Sequence, residues 1–486
     1  MFSTILSILG WAFLIWLVYL AFSTLVIPRL MMLRQHKAET WLEDHPAERF
    51  DGPVDGEHGP DEAAIMSIRE DALALRLELL EKATERVDML YYQLTKDDSG
   101  DIILGQLLDV ANRGVKVRLV IDATGSGYRL RNRKIAWALH GHPNVQFRLF
   151  SQVSLWRPWT VHNLLHEKMI LVDNKLLLVS GRNIVDRFLE PGHPEEGAVQ
   201  DFDILVRSRT PKFYQSVIPQ AVQHFDDCWN AGQTRLAVHN FTEKKKVEGQ
   251  YIVGQLISRA RRLATMHTTY FGGLSVWDRL EWRPTSRITF LSNNVNEIYK
   301  TPRLWAEITR MMNRSKKQVR FLSPYFIPTK SMQRYLDYEH LRTIDVRLLT
   351  NSAGSTPNLL AFGGYMNRRK NLLKEGRKIF EYQGPGCIHA KVMTFDHRYT
   401  MIGSFNADAR STYLSCEIML LADSPELTAD MNARIERLEQ YSSLQSDLEL
   451  EGYLPSENVE ERAASKGKRA QLLFFRTLAL VFDYLL

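Results

Sequence analysis

The feature that most limits how this chain can fold is an internal duplication. Near residues 63–235 an amphipathic helix pattern, with apolar positions at Ala72, Leu75, Leu79 and Leu80, leads into the strand candidate VDMLYYQ. GQLLDVANRGVKVRLVIDATG then reads as a helix, a turn at Arg113-Gly114 and a continuous buried strand. The order recurs near 288–447. A helix WAEITRMMNRS precedes VRFLSPYFIP, a second helix around 331–341 precedes DVRLLTNSAG, and CIHAKVMTFDHRYTMIGSFN closes the unit. A repeated helix–strand alternation predicts two tandem α/β layered domains, each with a largely parallel or mixed sheet. Two such copies pack naturally as a pseudo-twofold pair.

Both copies end in an apolar hairpin with polar groups at its open end. In HEKMILVDNKLLLVSGRN, a two-residue turn at Asn174-Lys175 predicts that Asp173 pairs with Leu176, which sets His166 opposite Asn183 and Lys168 opposite Gly181. A turn at His397-Arg398 likewise sets His389 opposite Asn406 and Lys391 opposite Ser404. Side chains two apart on a strand share a face, so each hairpin presents His, Lys and Asn together. Asp173 and Asp396 sit at the turns, where an aspartate commonly caps backbone N–H groups. One such hairpin reads as a strand with a satisfied histidine and a snorkelling lysine. Two, 223 residues apart in matching positions, read as two halves of one site.

The flanks point to a membrane. Phe2–Ile27 carries no charged side chain and is long enough to cross a hydrocarbon core of about 30 Å. A basic leading segment and a small-residue cleavage site are not evident, so the run reads as an uncleaved anchor. Arg29, Arg34 and Lys37 follow it and no basic side chain precedes it, which predicts a single span with the remainder in the cytoplasm. The expected order is anchor and basic flank 1–37, polar tether 38–62, first domain 63–235, basic irregular linker 236–287, second domain 288–447 and tail 448–486. In the tail, KGKRAQLLFFRTLALVFDYLL reads either as an interfacial helix on anionic lipid or as a helix docked on the core. A net charge of +6 favours a phosphate-bearing partner, nucleic acid or anionic lipid. Cys228, Cys387 and Cys416 have no metal-ligand spacing, and their scarcity fits a reducing compartment.

The doubled pattern H-x-K-x4-D-x6-G-S-x-N resembles the phospholipase D superfamily. It stands as His166, Lys168, Asp173, Asn183 and again as His389, Lys391, Asp396, Ser404, Asn406. The second copy matches fully, whereas the first has Ser180-Gly181 in place of Gly-Ser. VRLLTNSAGS, GYMNRRKNLL and GSFNADARSTYLSCEIML look like bacterial cardiolipin synthases, most similar to the kind that uses phosphatidylethanolamine as donor. The resemblance implies two phospholipase D-like α/β/α domains behind a transmembrane helix in a bacterial inner membrane. It implies phospholipid substrates and catalytic His166, Lys168, Asp173, His389, Lys391 and Asp396. His166 would be the nucleophile and His389 the general acid and base, an assignment that sequence symmetry alone does not make. Asn183, Asn406 and Ser404 would hold the phosphate. Alignment of DFDILV with SCEIML sets Asp203 against Glu417 as the acids that orient the two imidazoles.

Residue chemistry agrees with phosphoryl transfer. A neutral imidazole attacks phosphorus, a second exchanges the proton, and lysines with asparagines stabilise the equatorial charge. No metal-binding carboxylate cluster accompanies the motifs, so neither metal nor other cofactor is expected. Phosphatidyl transfer, hydrolysis of the same lipids and nuclease action compete, and the anchor argues against nucleic acid. Tyr91, Tyr92 and Tyr325 are pocket candidates, the basic runs 128–134 and 367–370 are headgroup candidates, and His162 has no assigned role.

Overall fold

A computed structural model of the chain describes residues 2–34, 38–52, 58–128, 131–151, 156–190, 192–194, 197–209, 213–266, 275–445 and 459–486. Lys37, residues 53–57 of the tether, 129–130 of the first basic run, 267–274 of the linker and 446–458 of the tail lie outside the described residues.

The first domain carries β1 (Asp61–Met66), β2 (Arg86–Tyr91), β3 (Lys116–Asp122), β4 (Val145–Phe150), β5 (Lys168–Val172), β6 (Leu176–Ser180), β7 (Val199–Gln200), β8 (Asp203–Ser208) and β9 (Thr234–Leu236). All but β7 join β10 (Arg283–Pro284) in the order β10-β1-β8-β6-β5-β2-β3-β4-β9. The second carries β11 (Arg287–Ser292), β12 (Gln318–Leu322), β13 (Asp345–Asn351), β14 (Lys378–Tyr382), β15 (Cys387–Ile388), β16 (Val392–Phe395), β17 (Tyr399–Gly403), β18 (Ile418–Asp423) and β19 (Ser442–Gln445). Its sheet, β11-β18-β17-β16-β12-β13-β14-β19, repeats the order β1-β8-β6-β5-β2-β3-β4-β9 of the first, in which β10 is an added edge strand. Each sheet is mixed: β2, β3 and β4 run parallel, as do β12, β13 and β14, and the hairpins are antiparallel. The expected α/β architecture is therefore present twice.

Helices Arg69–Glu81, Asp98–Asn112 and Arg133–Gly141 cover one face of the first sheet, and Arg303–Arg314 with Leu359–Lys374 cover one face of the second. A single apolar cluster fills the space between the sheets, combining Leu165, Met169, Val179 and Phe202 with Leu322, Ile388, Val392 and Cys416. This shared core fixes the two hairpins relative to each other, because close-packed interiors resist sliding.

Each hairpin register differs by one residue from the expectation. Val172 pairs with Leu176 and Phe395 with Tyr399, so the turns have three residues, and Lys391 lies opposite Gly403. The cause is the turn aspartate. Asp173 accepts from the backbone N–H groups of Thr84, Glu85 and Arg86, and Asp396 from those of Lys316, Lys317 and Gln318. Both aspartates take positive φ, a cost that these bonds offset.

Three further segments differ from the sequence reading. The stretch around 331–341 is two short helices, Lys330–Gln333 and Tyr338–Leu341, because Asp337 caps the second through the His340 N–H. The supposedly irregular linker carries the 24-residue helix Glu243–Met266, whose Leu256, Ala260 and Leu263 pack onto the first domain. The tether is ordered where it is described: Trp41 donates to Glu307, and Phe50 is buried against the second domain. At the N-terminus one continuous helical run contains the apolar stretch Leu6–Met32, long and apolar enough to cross a bilayer, with most of its side chains exposed and Ser23 buried.

Candidate active site

The two histidines are held by backbone pairing across the domain interface. His166 N–H donates to the Cys416 carbonyl at 3.0 Å, and His389 N–H donates to the Gln200 carbonyl at 2.8 Å, next to the two-strand pair of β7 and β15. Each pairing carries the following acid of the opposite domain to the imidazole. Glu417 lies 3.0 Å from His166 Nδ1 through both carboxylate oxygens, and Asp201 Oδ2 lies 2.7 Å from His389 Nδ1. Nδ1–H donating to the carboxylate leaves each Nε2 lone pair free, the tautomer a nucleophile or base requires. Each domain therefore orients the other's histidine.

Glu417 reaches an imidazole, that of His166, whereas Asp203 contacts neither histidine among the described residues. Asp203 is fully buried between Arg76, at 3.0 and 3.1 Å, and Arg182, at 3.3 Å, and it accepts from Ser180. The positions occupied by Cys416 and Gln200 in the interface pairings show that Asp201, two residues earlier, is the counterpart of Glu417. Aligning the apolar strand runs instead of the residues ahead of them hid this. The same geometry explains Ser180-Gly181. A Cβ at Gly181 would lie 2.2 Å from Asp201 Oδ1, so serine there would collide with the orienting acid. In the second half the longer Glu417 leaves room for Ser404, whose hydroxyl donates to it at 2.5 Å. Ser404 thus supports Glu417, with Ser411 adding a 2.8 Å bond that sequence reasoning missed.

The Lys168 and Lys391 ammonium groups are buried beside their histidines. Lys168 donates to the His166 carbonyl and Lys391 to the His389 carbonyl, and the Lys391 ammonium also lies against the His389 ring, 2.9 Å from Nδ1 and 3.2 Å from Nε2. Burial, partly offset by Glu417 and reinforced by Lys391, pushes Lys168 down to about 7. Burial, partly offset by Asp201 and Glu417, pushes Lys391 down to about 8. Burial and then the lysine cations hold His166 well below its ordinary value and His389 at about 3. Burial also raises Glu417 to about 8. At Asp201 the His389 hydrogen bond and nearby cations overcome burial and hold it at about 2. The cluster is a cationic hollow with neutral imidazoles, arranged to receive an anion.

Asn183 and Asn406 are buried, and their amide oxygens find no partner among the described residues. Buried amide oxygens are ordinarily paired, so these two are open to a donor on a ligand, such as an alcohol hydroxyl. Tyr92 presents its ring to His166 at 5.0 Å, and Phe188, absent from the sequence-based set, does so to His389 at 4.9 Å. Tyr91 instead bonds Arg76 in the core, while Tyr325 is part-buried beside the charged groups Asp408, Arg410 and Glu417. Asp173 and Asp396 sit at the far ends of the strands, about 20 Å from the histidines at 3.3 Å per residue. Their chemistry is confined to the turns, which corrects their place in the catalytic set.

His162 bonds the Thr24 carbonyl at 2.8 Å and so docks the N-terminal helix. In the run 367–370, Arg368 pairs with Asp483, Arg369 with Glu381, and Asn367 bonds Arg476, which ties down the tail helix. One group of metal-ligating side chains occurs among the described residues. Glu167, His224 and Cys228 are buried together, with His224 Nε2 2.8 Å from Glu167 Oε2. Glu167 is on the opposite strand face from its neighbours His166 and Lys168, so this cluster is separate from the hollow.

The sequence profile described as "Cardiolipin synthase, PLD-like domain" matches residues 77–229 and 308–439, one block in each domain. The chain belongs to this phospholipase D-like family. It is accordingly a phospholipid-modifying enzyme of the phospholipase D type. The Escherichia coli (strain K12) protein named cardiolipin synthase C is 26% identical over 407 residues, covering 75% of this chain and 82% of that protein. An uncharacterized Helicobacter pylori (strain ATCC 700392 / 26695) protein is 24% identical over 406 residues, 73% of this chain and 74% of its own. The cardiolipin synthase of Geobacillus thermodenitrificans (strain NG80-2) is 27% identical over 74% of this chain and 62% of its own length. The crystal structure of phosphatidylserine synthase from Haemophilus influenzae Rd KW20 superposes with a TM-score of 0.60 at 14% identity, over 87% of this chain and 95% of that one, a likeness of fold.

Proposed function

We propose that this phospholipase D-like protein is a membrane-anchored phosphatidyltransferase that makes cardiolipin through a phosphohistidine on His166. The observation that carries the reading is the pair of acid-oriented, neutral imidazoles flanking two buried lysines in one hollow. Donor phosphodiester oxygens lie between Lys168 and Lys391, with Asn183 and Asn406 donating their amide N–H groups. His166 Nε2 attacks phosphorus, and the bond from phosphorus to the headgroup oxygen breaks. The bound phosphate matches the lysine charges and, with ionised Asp201 behind it, favours the imidazolium on His389, which protonates the departing alkoxide. A phosphatidylglycerol hydroxyl then gives its proton to His389 and attacks phosphorus, breaking the N–P bond and freeing His166. The lysines and amides stabilise the equatorial charge in both steps.

The donor is a second phosphatidylglycerol, releasing glycerol, or phosphatidylethanolamine, releasing ethanolamine. The catalytic domains face the cytoplasm, and the helical stretch Leu6–Met32 holds them at the inner membrane. The test incubates the membrane-reconstituted protein with labelled phosphatidylglycerol, with and without phosphatidylethanolamine, and reads products by mass. Cardiolipin supports the proposal. Phosphatidic acid alone makes the protein a hydrolase, and DNA cleavage without lipid turnover makes it a nuclease.

A further inference from the structure

The helix Lys466–Phe482 resolves the two readings of the tail by combining them. One face docks on Leu359–Lys374, burying Leu472 and Ala479. A Cβ at Gly363 would lie 2.7 Å from the Arg476 backbone N, so the two helices meet at backbone distance. The opposite face leaves Leu473, Phe474, Leu480 and Val481 55–66% exposed. These lie at i, i+1, i+7 and i+8, which at 100° per residue form one stripe. Outside the N-terminal helical run, no other described helix or strand exposes as many large apolar side chains. A contiguous apolar stripe on a water-facing surface marks a contact with something apolar.

What covers it is indicated by the neighbours. Tyr484, just past the helix, bonds the Leu25 carbonyl, and Arg29 lies 5.6 Å from its ring. Trp156, 80% exposed, accepts through its carbonyl from Tyr19 at 2.8 Å. The stripe thus adjoins the end of the apolar Leu6–Met32 run, at the level where such a helix leaves a bilayer. Arg469 and Arg476 are exposed beside the stripe, and the acidic Asp483 is already paired with Arg368. The carbonyls of Leu485 and Leu486 accept from Arg410, whose charge also bears on His166.

We propose that the helix Lys466–Phe482 lies in the bilayer interface beside the anchor, its Leu473–Val481 stripe among the acyl chains and its arginines at anionic headgroups. The contact holds the histidine hollow at the membrane surface, so a lipid headgroup reaches Lys168 and Lys391 without leaving its leaflet. This rests on the anchored-transferase reading only for its consequence; the burial itself is measurable without turnover.

The test reconstitutes the full chain in vesicles of phosphatidylcholine and phosphatidylglycerol with brominated acyl chains. A bimane label sits at Phe474→Cys or, as a control, at Tyr251→Cys on the exposed Glu243–Met266 helix; the three native cysteines are buried. Bromolipid quenching at 474 but not at 251 is expected, and equal quenching at both overturns the proposal. In a second arm, Leu473→Glu/Leu480→Glu loses about tenfold in activity on vesicles while keeping its activity on short-chain monomeric phosphatidylglycerol. Unchanged vesicle activity, or equal loss on both substrates, overturns the proposed membrane role. A protein that makes no cardiolipin but is quenched at 474 would refute the proposed function and leave the membrane contact standing.

Discussion

Replacing Asp201 and Asp203 separately by asparagine distinguishes two aspartates that sequence alignment confuses. Asp201→Asn removes a charge-assisted hydrogen bond of 2.7 Å to His389 Nδ1 in a fully buried position. Such a bond contributes about 1.5–3 kcal/mol. The amide group that replaces it, turned to donate, would also hold His389 in the tautomer whose Nε2 carries the proton. An Asp→Asn change behind a catalytic histidine costs about 10⁴ in rate when it fixes the wrong tautomer, so a loss of about 10³–10⁴ in kcat is expected here. Stability should change little, since the side chains are isosteric. Asp203→Asn does the reverse. It leaves the buried Arg76 and Arg182 without their shared anion, at a cost of about 3–5 kcal/mol in folding, while folded molecules keep an intact hollow. The assay is turnover of labelled phosphatidylglycerol per folded enzyme, with denaturation midpoints measured on the same samples. Asp201→Asn within tenfold of wild type, together with an inactive but folded Asp203→Asn enzyme, would refute the cross-domain assignment.

Gly181→Ser, which would place a serine at the position of Ser404 in the second half, should inactivate the enzyme, because the new Cβ lies 2.2 Å from Asp201 Oδ1; wild-type turnover would contradict this. Asp173→Ala removes bonds to three backbone N–H groups and should lower stability by about 1–3 kcal/mol. Its kcat should stay close to wild type, read by urea unfolding alongside turnover. The pH profile of kcat/KM should fall on the alkaline side as Lys168 and Lys391 lose their protons near about 7 and about 8. His389, which burial holds at about 3, should add no acid limb between pH 5 and 6.5. A profile flat through pH 9 would contradict the cationic-hollow reading.

The duplication, the mixed sheets and the polar ends of the hairpins were legible because continuous apolar strand runs and repeated motifs are local signals. The partners of His166 and His389 were less so, since each acid arrives from the other domain through a backbone pairing that no local pattern encodes. The one-residue register difference has the same character. Asp173 and Asp396 reach back to residues about 80–90 positions earlier, and those bonds set a three-residue turn where the local sequence favours two. The linker helix was hidden by its charged start at 243–249. Its apolar face, Leu256, Ala260 and Leu263, finds a partner only in the folded first domain.

The most direct test of the central claim is to follow His389→Ala after incubation with phosphatidylglycerol, using intact mass followed by peptide mapping. The mechanism predicts a phosphatidyl adduct on His166 that accumulates because no group remains to activate the incoming alcohol. An adduct on His389 of the His166→Ala enzyme, with none in His389→Ala, would reverse the roles of the two histidines, and full turnover in either variant would contradict the mechanism.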